Sequence, residues 1–309
     1  MMPMRLQFDG GRRTSPMLPV WVLIFSASLW GLAWLPLKYF AGQGLLGPMV
    51  AFLTFGGLGL ISLPLLVREY AQWRHCIPLF LLLSLVGGWG NTAYISALLA
   101  GDVVRVALLF YLAPVWGVLG GRIFLGERIT RRRLAALACA LGGVLLIVGG
   151  DQSFAAPLGW TDFLALTAGL AFSANNVVAR HAQSIPTASK TIALFLGCLL
   201  TSALLLALQE GSAALVLPAL SVSVWAYLAA YAIGWLAVAT VTWQWSVSRM
   251  EAGRSGVLGI AELAMALLSA TLIGGAMLGA GEWAGAALIA CAALLVALEP
   301  DSQDQNVSG

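Results

Sequence analysis

The sequence predicts an all-α integral membrane protein of ten transmembrane helices, arranged as two inverted-topology repeats of five. Three observations carry that prediction. Ten apolar runs punctuate the 309 residues. All but two of the sixteen Lys and Arg residues fall in alternate gaps between those runs. The chain also repeats itself weakly, with a period near 145–155 residues.

The runs lie at about 18–40, 46–67, 78–100, 104–123, 134–150, 158–179, 191–208, 223–247, 255–277 and 283–299. Each holds roughly 17–25 residues, which at about 1.5 Å rise per residue crosses a hydrocarbon core of about 30 Å. Arg5, Arg12 and Arg13 precede the first run, and Arg68 and Arg74 follow the second. Arg122, Arg128, Arg131, Arg132 and Arg133 lie between the fourth and fifth. Arg180 and Lys190 flank the next gap on that side, and Arg249 and Arg254 the one after. Only Lys38 and Arg105 fall on the opposite side. Basic loops stay in the cytoplasm, so both termini are expected inside, at a bacterial cytoplasmic (inner) membrane. One helix more or fewer would invert half of the tally, so ten is the supported count.

The expected organisation is a cytoplasmic N-terminal segment at 1–17, a first five-helix unit at 18–150, a second at 158–299 and a cytoplasmic tail at 300–309. The three leading arginines mimic a signal peptide. The run behind them is longer than an h-region, however, and no A-x-A-like cleavage site closes it, so it reads as a retained helix. At 60% hydrophobic and 9% charged residues, the chain has too little polar surface for a soluble globule. The net charge of +3 sits in topology-setting loops and implies no nucleic acid. The expected partners are membrane lipid and a small-molecule substrate. The short connections leave no room for a soluble catalytic domain. Cys76, Cys139, Cys198 and Cys291 include no close pair, so neither a metal site, a disulfide framework nor a cofactor is expected.

In the repeat, "SLWGLAWLPLKYF" of the first run aligns with "GLAFSANNVVARH" of the sixth. This sets Trp30 on Phe172, Trp34 on Asn176 and Lys38 on Arg180. Later, Gly126-Glu127 falls against Gly281-Glu282. Five is an odd number, so the second unit must run opposite to the first. Inverted repeats place a substrate site near the midplane, where the halves meet and rock.

The stretch "ALLFYLAPVWGVLGGRIFLGERITRRRLAALACALGGVLLIVGG", with the "LWG" of the first run, resembles the EamA-type transporters of the drug/metabolite transporter superfamily. The likeness covers nearly all of residues 18–299, including the five-plus-five plan. Where that family carries Glu-Pro in the ninth helix, this chain has Glu262-Leu263. The longer hairpin from there to Gly281-Glu282, followed by Trp283, resembles the YddG-like aromatic amino-acid exporters. The resemblance implies an alternating-access exporter of small metabolites, with amino acids, aromatic ones included, foremost, and no enzyme. The alternative within transport is efflux of cationic or lipophilic drug-like compounds. The alternative of another class is an intramembrane protease or receptor.

Glu262 is the sharpest local signal. It lies about eight residues into the ninth run, near the midplane, where a carboxylate costs several kcal/mol unless protonated, paired or facing a wet cavity. Either a proton or a substrate ammonium suits it; the structural alternative is a neutral acid bonded to a neighbouring helix. Trp30, Trp34, Trp89, Trp235 and Trp243 lie deep in spans, where an indole N–H wants a partner. With Tyr111 and Tyr231 the first four suit an aromatic-lined cavity, although any one of them reads equally as packing. Tyr94, Asn175 and Asn176 are intramembrane polar groups for which interhelical hydrogen bonds are the plain explanation. Lys38 is expected to snorkel, or to meet a substrate carboxylate at the outer mouth. Pro36 and Pro114 invite kinks. Gly117 with Gly121, Gly275 with Gly279 and Gly281 with Gly285 have small-xxx-small spacing, suited to helix contacts or a homo-oligomer face. Gly253-Arg254-Ser255-Gly256 matches the GxSG string of intramembrane serine proteases, with His75 and His181 on the same side, but no third group is evident.

Overall fold

The computed structural model describes residues 17–101, 103–148, 157–210, 220–273 and 279–298. The basic leader at 1–16, the tail at 299–309 and Gly275 lie outside the described residues. Among the described residues every regular element is a helix. In chain order they are α1 (Leu18–Gly31), α2 (Trp34–Gly42), α3 (Gly47–Ile61), α4 (Leu63–Arg68), α5 (Ile77–Ala100), α6 (Val103–Phe110), α7 (Ala113–Leu125), α8 (Arg131–Val148), α9 (Trp160–His181), α10 (Thr187–Glu210), α11 (Val222–Val247), α12 (Ala252–Gly259), α13 (Ala261–Leu272) and α14 (Ala280–Ala297). Short turns at Tyr70–Trp73 and Arg74–Cys76 lead into α5.

Eight helical stretches are long and apolar enough to cross a membrane. Two of the predicted spans fall outside that set for visible reasons. Apolar α3 is short, and its predicted remainder continues as α4 beyond a turn at Ser62. Pro64 has no N–H to extend the helix there. The other, α8, opens on Arg131-Arg132-Arg133, which shortens its apolar length.

Three spans break in mid-membrane. The first stops at Gly31 and resumes at Trp34, with Leu35 N donating to Leu32 O at 3.1 Å. The fourth stops at Phe110 and resumes at Ala113, with Val115 N on Leu112 O at 3.0 Å. Both breaks lie just before a proline, Pro36 and Pro114, which removes the bond that a continuous helix would make to the residue four before it. The ninth span breaks at Ile260, between α12 and α13, where Leu263 N donates to Ile260 O at 2.9 Å. No proline enforces this third break.

An exposed carbonyl inside a bilayer must find a donor. The break in the first span turns Ala33 N to Trp30 O (3.0 Å), which frees Leu29 O. Trp235 Nε1, from a π-helical turn at Tyr231–Leu236 within α11, fills that vacancy at 3.0 Å.

In the packing, α9 and α10 lie along α5, α1 lies against α11 and α13, α7 lies against α9 and α12, and α8 pairs with α14. Large apolar side chains such as Leu81, Leu85, Phe124, Leu204 and Leu294 remain exposed, as expected for lipid-facing positions. The small-residue pairs face inward. A Cβ on Gly285 would meet Gly143 O at 2.7 Å, while Gly281 faces Leu146 O and Gly117 faces Ala252 O. Gly117, Gly281 and Gly285 therefore lie at helix contacts within one chain.

Candidate functional site

The three mid-membrane breaks surround one site. Two adjoining cavities of about 20 Å³ each lie among α1, α5, α6, α9, α10, α11 and α13. Trp30, Asn91, Phe172 and Trp243 line both. Tyr94, Phe110, Gly90 and Glu262 complete the first, and Gly87, Asn175, Leu194 and Thr240 the second. Space of this size holds about one water, so in this conformation the site is closed around itself.

Glu262 follows the Ile260 break by two residues and is buried. Its carboxyl accepts from Tyr94 Oη at 3.4 Å, and the Tyr111 hydroxyl is also close enough to interact with it. The approach is possible because Gly31 of α1 lies against the Glu262 backbone; a Cβ there would come within 2.4 Å of Glu262 O. Tyr94 stacks on Phe110 at 4.0 Å, Phe110 meets Phe172 at 5.5 Å, and Phe172 meets Trp243 at 5.1 Å. The wall is thus a continuous run of aromatic rings with one carboxyl at its end. Such a surface suits a flat apolar body carrying a cationic head.

The second layer is a buried amide network. Asn175 Nδ2 donates to Gln244 Oε1 at 3.1 Å, and Gln244 Nε2 returns a bond to Asn175 Oδ1 at 3.3 Å. Asn176 Oδ1 accepts from Trp243 Nε1 at 3.1 Å, which fixes that ring against the cavity. Amide groups this deep are retained because each is satisfied by another.

The other predicted residues are distributed differently. Trp34 Nε1 donates to Ser269 Oγ of α13 at 2.9 Å, and Trp89 Nε1 to Thr167 Oγ1 of α9 at 3.1 Å. With Trp235 on Leu29 O, all three indoles join helices, and none lines the central cavities. Tyr231 and Trp235 line a separate cavity of about 310 Å³ between α2 and α11, with Pro36, Tyr39, Phe40 and Tyr227. Lys38, on α2, is exposed. The cavity-lining residues that sequence reasoning left out of the site are Asn91, Phe110, Phe172, Leu194, Thr240, Trp243 and the α5 glycines. Phe172 carried a signal, as the repeat partner of Trp30.

A larger groove of about 370 Å³, walled by Leu79, Leu82, Trp116, Phe124, Leu170 and Val177, shares no lining residue with the central cavities. Its walls are almost wholly apolar, so size alone does not mark the site. Ser255 of the GxSG string is buried and donates to Ala252 O at 3.0 Å, as a helix-start residue does.

Residues 17–149 match the EamA-like transporter family. That match spans just under half of the chain. Over 245 residues the chain is 27% identical to a "Probable terminal-alkyne amino-acid exporter" of Streptantibioticus cattleyicolor, covering 76% of this chain and 78% of that one. It is 29% identical over 158 residues to a riboflavin transporter of Rhizobium johnstonii, covering 49% of each chain. It is 44% identical over 70 residues to the chloramphenicol-sensitive protein RarD of Pseudomonas aeruginosa, covering 23% of this chain and 22% of that one. The chain thus spans about half the length of the riboflavin transporter and under a quarter of RarD. A solved crystal structure matches with a TM-score of 0.72 at 22% identity, over 92% of this chain and 98% of that one, a likeness of fold.

Proposed function

We propose that this chain is an EamA-type, alternating-access transporter that exports small amine-bearing metabolites from the bacterial cytoplasm, amino acids, aromatic ones included, foremost. One observation carries the reading: a carboxyl group at the middle of a membrane-length helix, hydrogen-bonded to Tyr94, ends an aromatic-walled cavity built from both halves of the chain. Several features support the ten-span, inverted five-plus-five plan, with units at 18–150 and 158–299 and both termini cytoplasmic. The breaks near Leu112 and Ile260 fall at matching places in the fourth and ninth spans. Arg105, which opens the fourth, donates to Pro157 O beyond the fifth; Arg254, which opens the ninth, donates to Ala297 O at the end of the tenth. Trp30 and its repeat partner Phe172 line both cavities. The likeness to an exporter of a terminal-alkyne amino acid supports the substrate class, as does the YddG-like hairpin.

A specific observation favours a second reading, efflux of cationic compounds. Among the described residues lining the central cavities there is no Lys, Arg or His, so a substrate carboxylate meets no cation there; Lys38 waits only at the outer end. Counterflow in proteoliposomes, with radiolabelled amino acids set beside the amines that lack their carboxyl group, tests both. Exchange of the amino acids supports the first reading, exchange of the amines alone supports the second, and exchange of neither removes both.

A further inference from the structure

The breaks position the site, but a transporter also needs ends that close, and one end carries a device that the site does not use. Glu127, in the loop after α7 of the first half, reaches across to the second half. Its carboxylate accepts from Ala252 N at 2.7 Å and Gly253 N at 3.2 Å, the first amides of α12. Free amides at a helix start attract an anion. Arg133, at the start of α8, bonds Glu251 and Arg128 O, and lies 3.7 Å from the Glu127 carboxylate. Glu127, Arg133 and Glu251 are all buried. Burial holds the Glu127 carboxyl above its ordinary value, although the two amides oppose that shift. The helix so held, α12, is short and ends at the Ile260 break, two residues before Glu262.

The opposite end is built otherwise. Glu282, the repeat counterpart of Glu127, accepts from Gly279 N of its own helix. There, Arg105 and Asp162 pair at 2.7 Å instead. Both ends carry a cross-half carboxylate contact, but among the described residues only Glu127 caps a helix start of the other half.

We propose that Glu127, Arg133 and Glu251 form a latch that closes the cytoplasmic end by gripping the start of α12, and that it opens for substrate to load. The proposal rests on the transport reading but on no particular substrate. Buried charged groups favour two discrete arrangements, paired or hydrated, because a lone charge left inside is costly.

The test needs no substrate, so its failure is distinct from failure of the substrate assignment. Cys76, Cys139, Cys198 and Cys291 are replaced, and Thr240→Cys, which lines the cavity and is buried, is labelled by a membrane-impermeant maleimide from each face. Glu127→Gln and Glu251→Gln are expected to speed labelling from the cytoplasmic face by about tenfold, the scale of one charge-assisted hydrogen bond lost from one of two states. Glu282→Gln is expected to change neither face. Glu251→Gln leaves the amide contacts of Glu127 in place and guards against a misfolded Glu127 variant. Unchanged labelling in Glu251→Gln at wild-type melting temperature overturns the latch. So does faster labelling from the outer face, or an equal effect of Glu282→Gln.

Discussion

Replacing Glu262 by Gln keeps the shape of the side chain and removes only its capacity for charge. The Tyr94 hydroxyl sits 3.4 Å from Oε1, beyond the usual range of about 2.5–3.0 Å for O–H···O bonds, and the amide oxygen of Gln accepts the same donor. The change in folding free energy is therefore expected to stay under about 1 kcal/mol. A substrate ammonium, by contrast, loses a charge-assisted bond worth about 1.5–3 kcal/mol, which corresponds to roughly 10–150-fold in affinity. Neutral analogues of the same ring lose almost nothing. The assay measures, on one preparation, half-saturation for an amine series and its neutral analogues, uptake driven by an imposed pH gradient, and melting temperature. If the carboxyl carries a proton, Gln abolishes the response to the gradient and spares exchange of substrate down its own gradient. If it pairs with substrate, the amine series weakens alone. Normal amine affinity together with a normal gradient response refutes the reasoning and leaves Glu262 as scaffold, whatever the melting temperature does.

Other expectations follow from the same geometry. Trp30→Ala lowers transport per folded molecule, whereas Trp235→Phe, which strands Leu29 O, lowers the melting temperature by an amount set by about 1–3 kcal/mol for an unsatisfied buried carbonyl; the reverse pattern counts against the division made here between cavity and bracing indoles. Gly31→Ala drives a methyl into the Glu262 carbonyl and is expected to cost about 1–3 kcal/mol as overpacking, visible in thermal unfolding and in yield. Reporter fusions after Arg133 and at the C-terminus are expected to read cytoplasmic, and those after Gly101, Gly150 and Gly211 periplasmic. A periplasmic C-terminus ends the ten-span plan.

Much of the architecture was legible because a bilayer simplifies the code: apolar length marks spans and basic residues mark a side. Pro36 and Pro114 announced two of the breaks, since a missing N–H acts locally. The break at Ile260 carried no such mark, because packing rather than covalent structure bends the chain there. Glu262 stood out because a carboxyl in hydrocarbon is expensive wherever the helix points. The tryptophans were harder to sort. Trp30 lines the cavity while Trp34, one turn on, bonds Ser269, and depth along a helix does not reveal which way a ring faces once the helix is broken between them. The hydrogen bond of Trp235 was hidden for a related reason: its partner, Leu29 O, becomes available only through a break 206 residues away. Glu127 was read only as a repeat landmark, Arg133 only as topology-setting charge and Glu251 not at all, since a loop sequence does not disclose which helix start it will cap.

The absence of proline after Glu262 has a mechanical meaning. At Leu32 and Leu112 the kink is written into the covalent chain, and no rearrangement can restore the lost bond. At Ile260 the amide of Leu263 is intact, so this segment can trade its short-range bond to Ile260 for the ordinary one to Gly259 and straighten. Straightening would swing the carboxyl about the helix axis and pull on α12 from its far end. Two joints of the molecule are rigid elbows; the third, beside its only cavity-lining carboxyl among the described residues, is a spring.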